Sequence, residues 1–213
     1  WNAIGMRQTD SGSTEFRNAK VYPDEVLGEP NAFIHAFMDT KRGSLWTPTA
    51  QLTFSTVYLG IAHGALEAAR EYTRTQTRPW TPAGVTQATA DPYIVRTYGE
   101  FVIALQGADA AAREAGRLLQ QVWDKGDALT AQDRGELMVK VAGVKALSTR
   151  VALDITSRMF EVIGSRGTHP RYGFDRFWRN VRTHTLHDPV AYKIVEVGNY
   201  ALNDSYPVPG FTS

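Results

Sequence analysis

Apolar side chains recur in alternating steps of four and three residues over residues 94–122. This spacing puts them in one stripe along a helix and is typical of helices that pack side by side. The stretch begins at Asp91-Pro92 and ends at Asp124-Lys125-Gly126. It predicts a single helix about 50 Å long, because each residue adds ~1.5 Å. A helix of that length needs partner helices to cover its stripe.

Three more stretches carry the helical period. Residues 48 to about 76 begin at Thr47-Pro48, a typical N-cap followed by proline, and have two apolar stripes. The next helix opens at Thr130-Ala131-Gln132-Asp133, close to a capping box, and ends at Gly164. A last helix starts at Asp188-Pro189, with the aspartate as its expected N-cap. Four helices with short or modest connections predict a mainly α chain, an antiparallel four-helix bundle.

Residues 1–30 differ in sequence pattern from the helical stretches that follow. Residues 14–22 alternate well enough to predict a strand, closed by Pro23-Asp24. One or two strands cannot bury a face alone. We therefore interpret residues 1–30 as the end of a β domain whose other strands are not in this sequence, and residues 31–213 as the helical bundle domain. The sequence lacks an initiator methionine, and we expect it to be processed or cut from a longer protein.

Composition narrows the class of protein. The formal net charge of the 213 residues is +1, which gives no general electrostatic attraction to nucleic acid or to an anionic membrane. The chain has no cysteine, so disulfides and thiolate chemistry are excluded, and this composition suits the cytoplasm. No apolar run approaches the ~20 residues of a membrane span. The sequence predicts a cytoplasmic protein with neither nucleic acid nor membrane as a partner.

Residues 171–188 concentrate the side chains that suggest chemistry. They include four arginines, a Phe-Trp pair, and His184 and His187. Residues three apart share one helix face, so the two imidazoles could address one ligand while the arginines hold an anion. The alternative is a solvated basic segment. We expect no metal, because no further histidine or carboxylate at ligand spacing lies on the neighbouring helices.

Motifs for serine hydrolases, phosphate-binding loops, dinucleotide folds and zinc proteases are absent from the sequence. The remaining candidate residues are cationic or aromatic. Arg78 and Trp80 follow the first helix, and Arg166 lies in the glycine turn after the third. Arginine forks match phosphate oxygens, and aromatic side chains lie against planar rings. A planar cofactor that carries a phosphate would use both.

The motifs also resemble a known family. The runs Ile163-Gly164-Ser165-Arg166-Gly167 and Arg176-Phe177-Trp178-Arg179 resemble the carboxy-terminal half of the acyl-CoA dehydrogenase fold, a four-helix bundle preceded by a β domain. Where true dehydrogenases carry a catalytic glutamate in a Tyr-Glu-Gly-Thr run, this chain has His187-Asp188-Pro189-Val190. Its run Thr183-His184-Thr185-Leu186-His187-Asp188-Pro189, residues 75–82 and residues 206–213 resemble the dibenzothiophene monooxygenases of the bacterial desulfurisation pathway. The resemblance covers the whole chain.

This resemblance implies a two-component flavin monooxygenase. Such enzymes take reduced FMN from a separate flavin reductase and react it with molecular oxygen to form a C4a-hydroperoxyflavin. They then oxidise an aromatic sulfur heterocycle, dibenzothiophene, to its sulfoxide and sulfone. The family members are homotetramers with the flavin at a subunit interface. The chain would supply only the later part of such an enzyme.

The resemblance also implies roles for individual residues. His187, with His184 behind it, would supply a hydrogen bond to the flavin or shuttle a proton. Arg78 and Arg166 would hold the FMN phosphate, and Trp1 would lie against the flavin. Trp46 would form a wall of the substrate pocket, although burial in the bundle accounts for it equally well.

Two other classes of function stay open at the level of sequence. One is an acyl-CoA dehydrogenase-like enzyme that binds FAD and a CoA ester, against which the missing glutamate motif argues. The other is a non-catalytic helical assembly domain, which would retain no flavin.

Overall fold

The computed structural model of the protein describes residues 1–9, 11–26, 28 and 40–213. The domain boundary predicted between residues 30 and 31 lies outside these ranges. The described part contains five α-helices, here named in chain order: α1 Trp46–Thr75, α2 Pro92–Asp124, α3 Ala131–Ile163, α4 Asp175–His184 and α5 Val190–Asn203. None of them is both long and apolar enough to cross a membrane.

The central helix of the bundle is α3, which packs against the other four. Thr73 near the end of α1 shows how the long helices are oriented. Its hydroxyl lies 2.8 Å from the Tyr98 hydroxyl near the start of α2, and it donates to the Val162 carbonyl near the end of α3 at 3.2 Å. Therefore α1 and α3 run in the same direction and α2 runs opposite to both.

The fourth position of the bundle is shared by two short helices. Before α4, the Phe174 ring packs on Tyr72 near the end of α1, with ring centroids 5.3 Å apart. At the end of α4, His184 contacts Tyr58, and Asp188, just before α5 begins, contacts Gln51. The predicted four-helix bundle is thus confirmed, with its fourth helix interrupted at residues 185–189, a segment we call the break.

Apolar stripes on the three long helices form the core. On α1 the buried stripe is made largely of small residues, including Ala62, Ala65 and Ala69, which let α3 approach closely. The stripe of α3 contributes Val141, Ile155 and other fully buried side chains. The periodicity seen in the sequence is therefore the pattern of burial in the fold.

Of the helix ends predicted at Thr130, Gly164 and Thr47, the first two are confirmed and the third is wrong. Thr130 and Asp133 form a reciprocal capping box at the start of α3, and Gly164 ends that helix with φ of 73°. Thr47, however, is not the N-cap of α1, which begins one residue earlier. Its hydroxyl instead donates to the carbonyl of Gly210 at 2.6 Å, so it fastens the tail of the chain to the bundle.

The strand predicted over residues 14–22 does not form. The described residues of this segment contain no strand, the chain bends at Arg17 and Asn18, and Phe16 and Val21 are 81% and 68% exposed. A strand needs a neighbour to pair its backbone groups and cover its apolar face, and the described part of the chain provides none. The assignment of residues 1–30 to a β domain stays a prediction.

Candidate functional site

The break brings the two histidines of the sequence motif side by side. His184 is the last residue of α4, and His187 follows one turn later. Their rings are stacked, with centroids 5.9 Å apart and planes 16° from parallel. The two imidazoles therefore face the same surroundings, as their spacing predicts.

Helix α1 supplies an aromatic wall behind this pair. The Phe54 ring lies 4.9 Å from the His184 ring and 5.0 Å from the His187 ring. The hydroxyl of Tyr58 lies 3.1 Å from His184 Nδ1 and also donates to the His184 carbonyl at 3.2 Å. Burial, together with the negative charge of Asp188, raises the pKa of Tyr58, so its phenol keeps its proton.

The two histidines differ in exposure. His184 is half-buried, and burial first, then the neighbouring His187 and the charge of Lys145, lower its pKa. The neutral form of its ring is therefore favoured, and the Tyr58 hydroxyl lies beside its Nδ1. The side chain of His187 is 56% exposed, so of the two it is the one that can meet a ligand directly.

Asp188 does not cap the last helix, contrary to the sequence prediction. The N-cap of α5 is Pro189, and the Asp188 side chain turns into the bundle. Its Oδ2 accepts from Gln51 Nε2 at 2.7 Å, from Lys145 Nζ at 2.8 Å and from His187 Nδ1 at 3.2 Å. Burial disfavours the charge, but the hydrogen bonds from Lys145 and Gln51 outweigh it and lower the pKa of Asp188 to about 2.

Lys145 is the functional residue that the sequence analysis missed. Its side chain has no exposed surface, and its Nζ lies 5.5 Å from the centre of the Phe54 ring. Burial lowers the pKa of Lys145, while Asp188 acts in the opposite direction. The signal was available in the sequence, since Lys145 stands on the otherwise uncharged buried stripe that runs from Val141 to Ser148.

A cavity of about 510 Å³ opens beside the histidines. The segment before residue 10 forms one wall and is hydrogen-bonded to α4. It can lie this close because residue 5 is a glycine, where a Cβ would overlap the carbonyl of Arg179. Trp1 is placed by its indole N–H, which donates to the Met6 carbonyl at 2.9 Å. The described residues that line the cavity include no carboxylate: Trp1, Ala3, Ile4, Met6, Thr9, Ser11, Arg182, Thr183, His184, Leu186 and His187.

A second cavity of about 510 Å³ lies at the carboxy-terminal end of α1 and holds Arg166. Tyr72 of α1 and Gln76, which follows that helix, line it together with the turn after α3. Arg78 comes two residues after Gln76, in a loop that Thr77 ties to α3 through a 3.4 Å hydrogen bond to the Ile163 carbonyl. Both arginines are exposed, and neither is hydrogen-bonded or ion-paired to another residue that the structure describes.

The two cavities are far apart within one chain. Tyr58 marks the histidine cavity on α1, and Tyr72 marks the Arg166 cavity. The fourteen residues between them correspond to about 21 Å along a helix with ~1.5 Å rise per residue. The residues predicted to hold one flavin are therefore divided between two places.

Comparison with known proteins identifies the family. Residues 52–191 match the family described as acyl-CoA dehydrogenase, C-terminal domain. The chain belongs to this family. The match covers α1 to α4, the break and the first residues of α5.

Individual relatives share a large part of the sequence over the whole length of the chain. The chain is 76% identical over all 213 residues to a dibenzothiophene monooxygenase of Rhodococcus erythropolis, of which it covers 51%. It is 46% identical over its full length to a probable FMNH2-dependent monooxygenase, SfnC, of Pseudomonas putida, of which it covers 53%. The crystal structure of TdsC from Paenibacillus sp. A11-2 with FMN and indole superposes on the whole chain with a TM-score of 0.92, at 52% identity and 54% coverage of TdsC. The chain spans about half the length of the curated relatives it matches.

In this acyl-CoA dehydrogenase C-terminal domain most arginines of residues 171–188 have structural partners. Arg176 stacks on Phe177 at 4.3 Å, and Arg171 stacks on its neighbour Tyr172 at 4.6 Å. Arg179 pairs with Asp175 at 2.9 Å and donates to the Ile4 carbonyl. Arg182 differs, because it lines the histidine cavity and its buried Nε has no partner among the described atoms.

Trp46 lies apart from the histidine cavity. It is the first residue of α1 and is 52% exposed, so burial in the bundle does not account for it. Its place in a substrate pocket stays a prediction. Among the described residues, no three histidine or acidic side chains lie close enough together to hold a metal ion.

Proposed function

We propose that the full-length protein is a monooxygenase that uses reduced FMN, supplied by a separate flavin reductase, to oxidise the sulfur of dibenzothiophene to the sulfoxide and sulfone. One observation carries the proposal. The described residues that line the cavity at the break include two imidazoles and the indole of Trp1 but no carboxylate. Such a site can donate, accept or move a proton next to an aromatic ligand.

The same observation argues against an acyl-CoA dehydrogenase. Removing an α-proton from a CoA ester requires a base that reaches the substrate. Asp188 is the carboxylate at this point of the chain, but it is 8% exposed and occupied by three donors. It faces α3 rather than the cavity, so no described carboxylate stands where that base would be needed.

The relatives support the proposed reaction. The proteins that match the whole chain at 46% to 76% identity carry the names FMNH2-dependent monooxygenase and dibenzothiophene monooxygenase. TdsC, at 52% identity, binds FMN together with indole, a planar aromatic molecule. These names also argue against a purely structural assembly domain.

The residues of the histidine cavity suit the ring of FMN. Reduced FMN, when bound, activates dioxygen and supplies the oxygen atom that the sulfur receives. Trp1, Ile4 and Leu186 line the cavity and keep 49%, 56% and 66% of their surface exposed. Apolar surface of this extent can cover a planar ring and exclude water from it. His187 can then place its exposed ring edge against the polar edge of the flavin.

Arg78 and Arg166 suit the FMN phosphate, because their guanidinium groups are exposed and without described partners. Tyr58 and Tyr72, the residues of α1 that mark the two cavities, are about 21 Å apart along the helix. An extended FMN, whose phosphate follows a five-carbon chain, reaches roughly half that distance from ring to phosphate. We therefore infer that each flavin takes His187 from one subunit and the two arginines from another.

Assembly into a homotetramer is consistent with the surface of α5. Tyr192, Val195 and Leu202 follow one another at helical spacing and are 69%, 64% and 82% exposed. Exposed apolar side chains on one face of a helix are typical of a subunit interface. Trp46, also half exposed, would complete an aromatic substrate pocket in the assembled protein. We place the enzyme in the cytoplasm, where a flavin reductase and its nicotinamide cofactor are available.

The decisive experiment is a coupled assay. Full-length protein is mixed with a flavin reductase, NADH, FMN and dibenzothiophene in air, and the products are separated by chromatography. We expect the sulfoxide first and then the sulfone, with no product when the reductase or FMN is left out. Absence of both products, with the flavin reduced and bound, would contradict the proposal. Reduction of bound flavin by an acyl-CoA would instead indicate a dehydrogenase.

A further inference from the structure

Lys145 carries a charge yet has no exposed surface, although a buried ammonium group is costly unless it is paired. Its Nζ lies 2.8 Å from Asp188 Oδ2 and donates a second hydrogen bond to Gln51 Oε1. The Nε2 of the same Gln51 amide donates to Asp188 Oδ2 at 2.7 Å. The three side chains form a closed ring of hydrogen bonds between α1, α3 and the break.

The same carboxylate oxygen contacts His187, whose Nδ1 lies 3.2 Å away. An ionised carboxylate can only accept, so Nδ1 is the ring nitrogen that bears a proton. Nε2 is on the opposite edge of the ring, and the side chain lines the cavity with 56% of its surface exposed. Phe54 and His184 flank the ring at 5.0 and 5.9 Å and oppose its turning over.

The charge of Lys145 determines whether Asp188 favours a neutral or a charged ring at His187. Beside an ammonium group, the carboxylate is already neutralised and accepts an ordinary hydrogen bond from an uncharged imidazole. Without that ammonium group, an imidazolium at His187 would be favoured, because it alone could balance the buried carboxylate. The other described charged or titratable groups near the ring are His184, with Tyr58 behind it, and Arg182.

We propose that Lys145 and Gln51 are positioning residues which, through Asp188, hold His187 as a neutral imidazole protonated at Nδ1 and present Nε2 to the cavity as an acceptor. This inference extends the proposed function, and it rests on that function only for the role of His187 in the reaction. Within that function, Nε2 takes a hydrogen bond or a proton from the bound cofactor or substrate and returns it. The state of the ring itself can be measured without any turnover.

The test is nitrogen-15 NMR of the full-length protein labelled at histidine, recorded at one mildly alkaline pH. The His187 signals are identified by their loss in His187→Phe. We expect a neutral ring protonated at Nδ1 in the wild type and a ring protonated at both nitrogens in Lys145→Met. Lys193→Met is the matched control, because Lys193 is also buried but pairs with Glu196. It should leave the His187 spectrum unchanged.

A double variant keeps the test decisive if Lys145→Met fails to fold. Lys145→Met with Asp188→Leu removes both buried charges, a change that is often neutral for stability. It should give a neutral His187 ring with the proton mainly on Nε2. A wild-type ring protonated at Nε2, or the same His187 spectrum in every folded variant, would overturn the inference. If the coupled assay gives no sulfoxide or sulfone but the spectra are as expected, the proposed function falls and the positioning inference stands.

Discussion

His184, His187 and Asp188 lie within five residues, and their surroundings give each a different task. His184 is half-buried against Tyr58, and this burial favours its neutral ring. Asp188 is buried against Lys145, which keeps it charged. His187 touches Asp188 on one edge and the cavity on the other. At the residue scale, the candidate chemistry therefore depends on which atom of each side chain is left accessible.

The first prediction concerns His187. His187→Phe removes the ring nitrogens but keeps an aromatic ring against Phe54. We expect the variant to keep its assembly and most of its FMN affinity while sulfoxidation falls on the order of 10²-fold, the scale of a positioned proton-transfer group. Dioxygen that is reduced at the expense of NADH but no longer oxidises the sulfur should appear as hydrogen peroxide. The measurement is sulfone and peroxide produced per NADH. A variant that forms sulfone at the parent rate without extra peroxide would assign His187 to packing.

The second prediction concerns acid stability. The pKa of Asp188 falls from an ordinary 3.8 to about 2 in the fold, so its ionisation stabilises the folded state above pH ~4. That contribution amounts to about 2 kcal/mol, of which about 1 kcal/mol is lost at pH ~3 and the rest as the pH falls through the folded pKa. Asp188→Asn should therefore lose less stability than the wild type between pH 5 and pH 3. Urea unfolding at the two pH values measures the difference, and equal losses would contradict it.

At the scale of helices and loops, sequence patterns predicted what local physics determines. The long helices, the capping box at Thr130 and the glycine end at Gly164 follow from periodicity and backbone conformation, and all three appear in the structure. The strand over residues 14–22 failed because pairing depends on strands elsewhere. The break was not predicted, since the turn between α4 and α5 is fixed by what Asp188 meets on α1 and α3. Lys145 was missed although it stands on an otherwise uncharged buried stripe, because its partners on α1 and in the break are not visible in the local pattern.

The third prediction concerns the loop of residues 76–91. Thr77 at one end is tied to the Ile163 carbonyl, and Asp91 at the other end caps α2 through the Tyr93 N–H. Between them Trp80 is 73% exposed. A loop of this length between long helices is usually functional, and we expect it to act as a lid that slows its hydrogen exchange when FMN binds. Equal exchange with and without FMN, while the histidine cavity becomes protected, would argue against a lid.

At the scale of the whole molecule, the fourth prediction concerns the phosphate. Arg78→Ala and Arg166→Ala should each weaken FMN binding by about 1.5–3 kcal/mol, the range for a hydrogen bond to a charged group. Titration of flavin fluorescence measures the change. Arg176→Ala is the matched control, because Arg176 stacks on Phe177 and does not itself line the cavity that holds Arg166. Unchanged affinity in both variants would remove the two arginines from the site.

The last prediction tests whether one flavin is shared between two subunits. Arg166 lines a cavity with Tyr72 in the last turn of α1, whereas His187 packs against Phe54 in the first half of that helix. These positions are too far apart for a single FMN within one chain. At an FMN concentration that only just saturates the wild type, subunits that carry Arg166→Ala and subunits that carry His187→Phe should each have little activity as pure assemblies. Co-expressed in equal amounts and paired at random, they should restore about a quarter of the sites, because half of the pairs are mixed and one site in each mixed pair is intact. Sulfone formation by the mixture measures this directly. If both residues served the same flavin from one chain, every site would carry one substitution and co-expression would restore nothing.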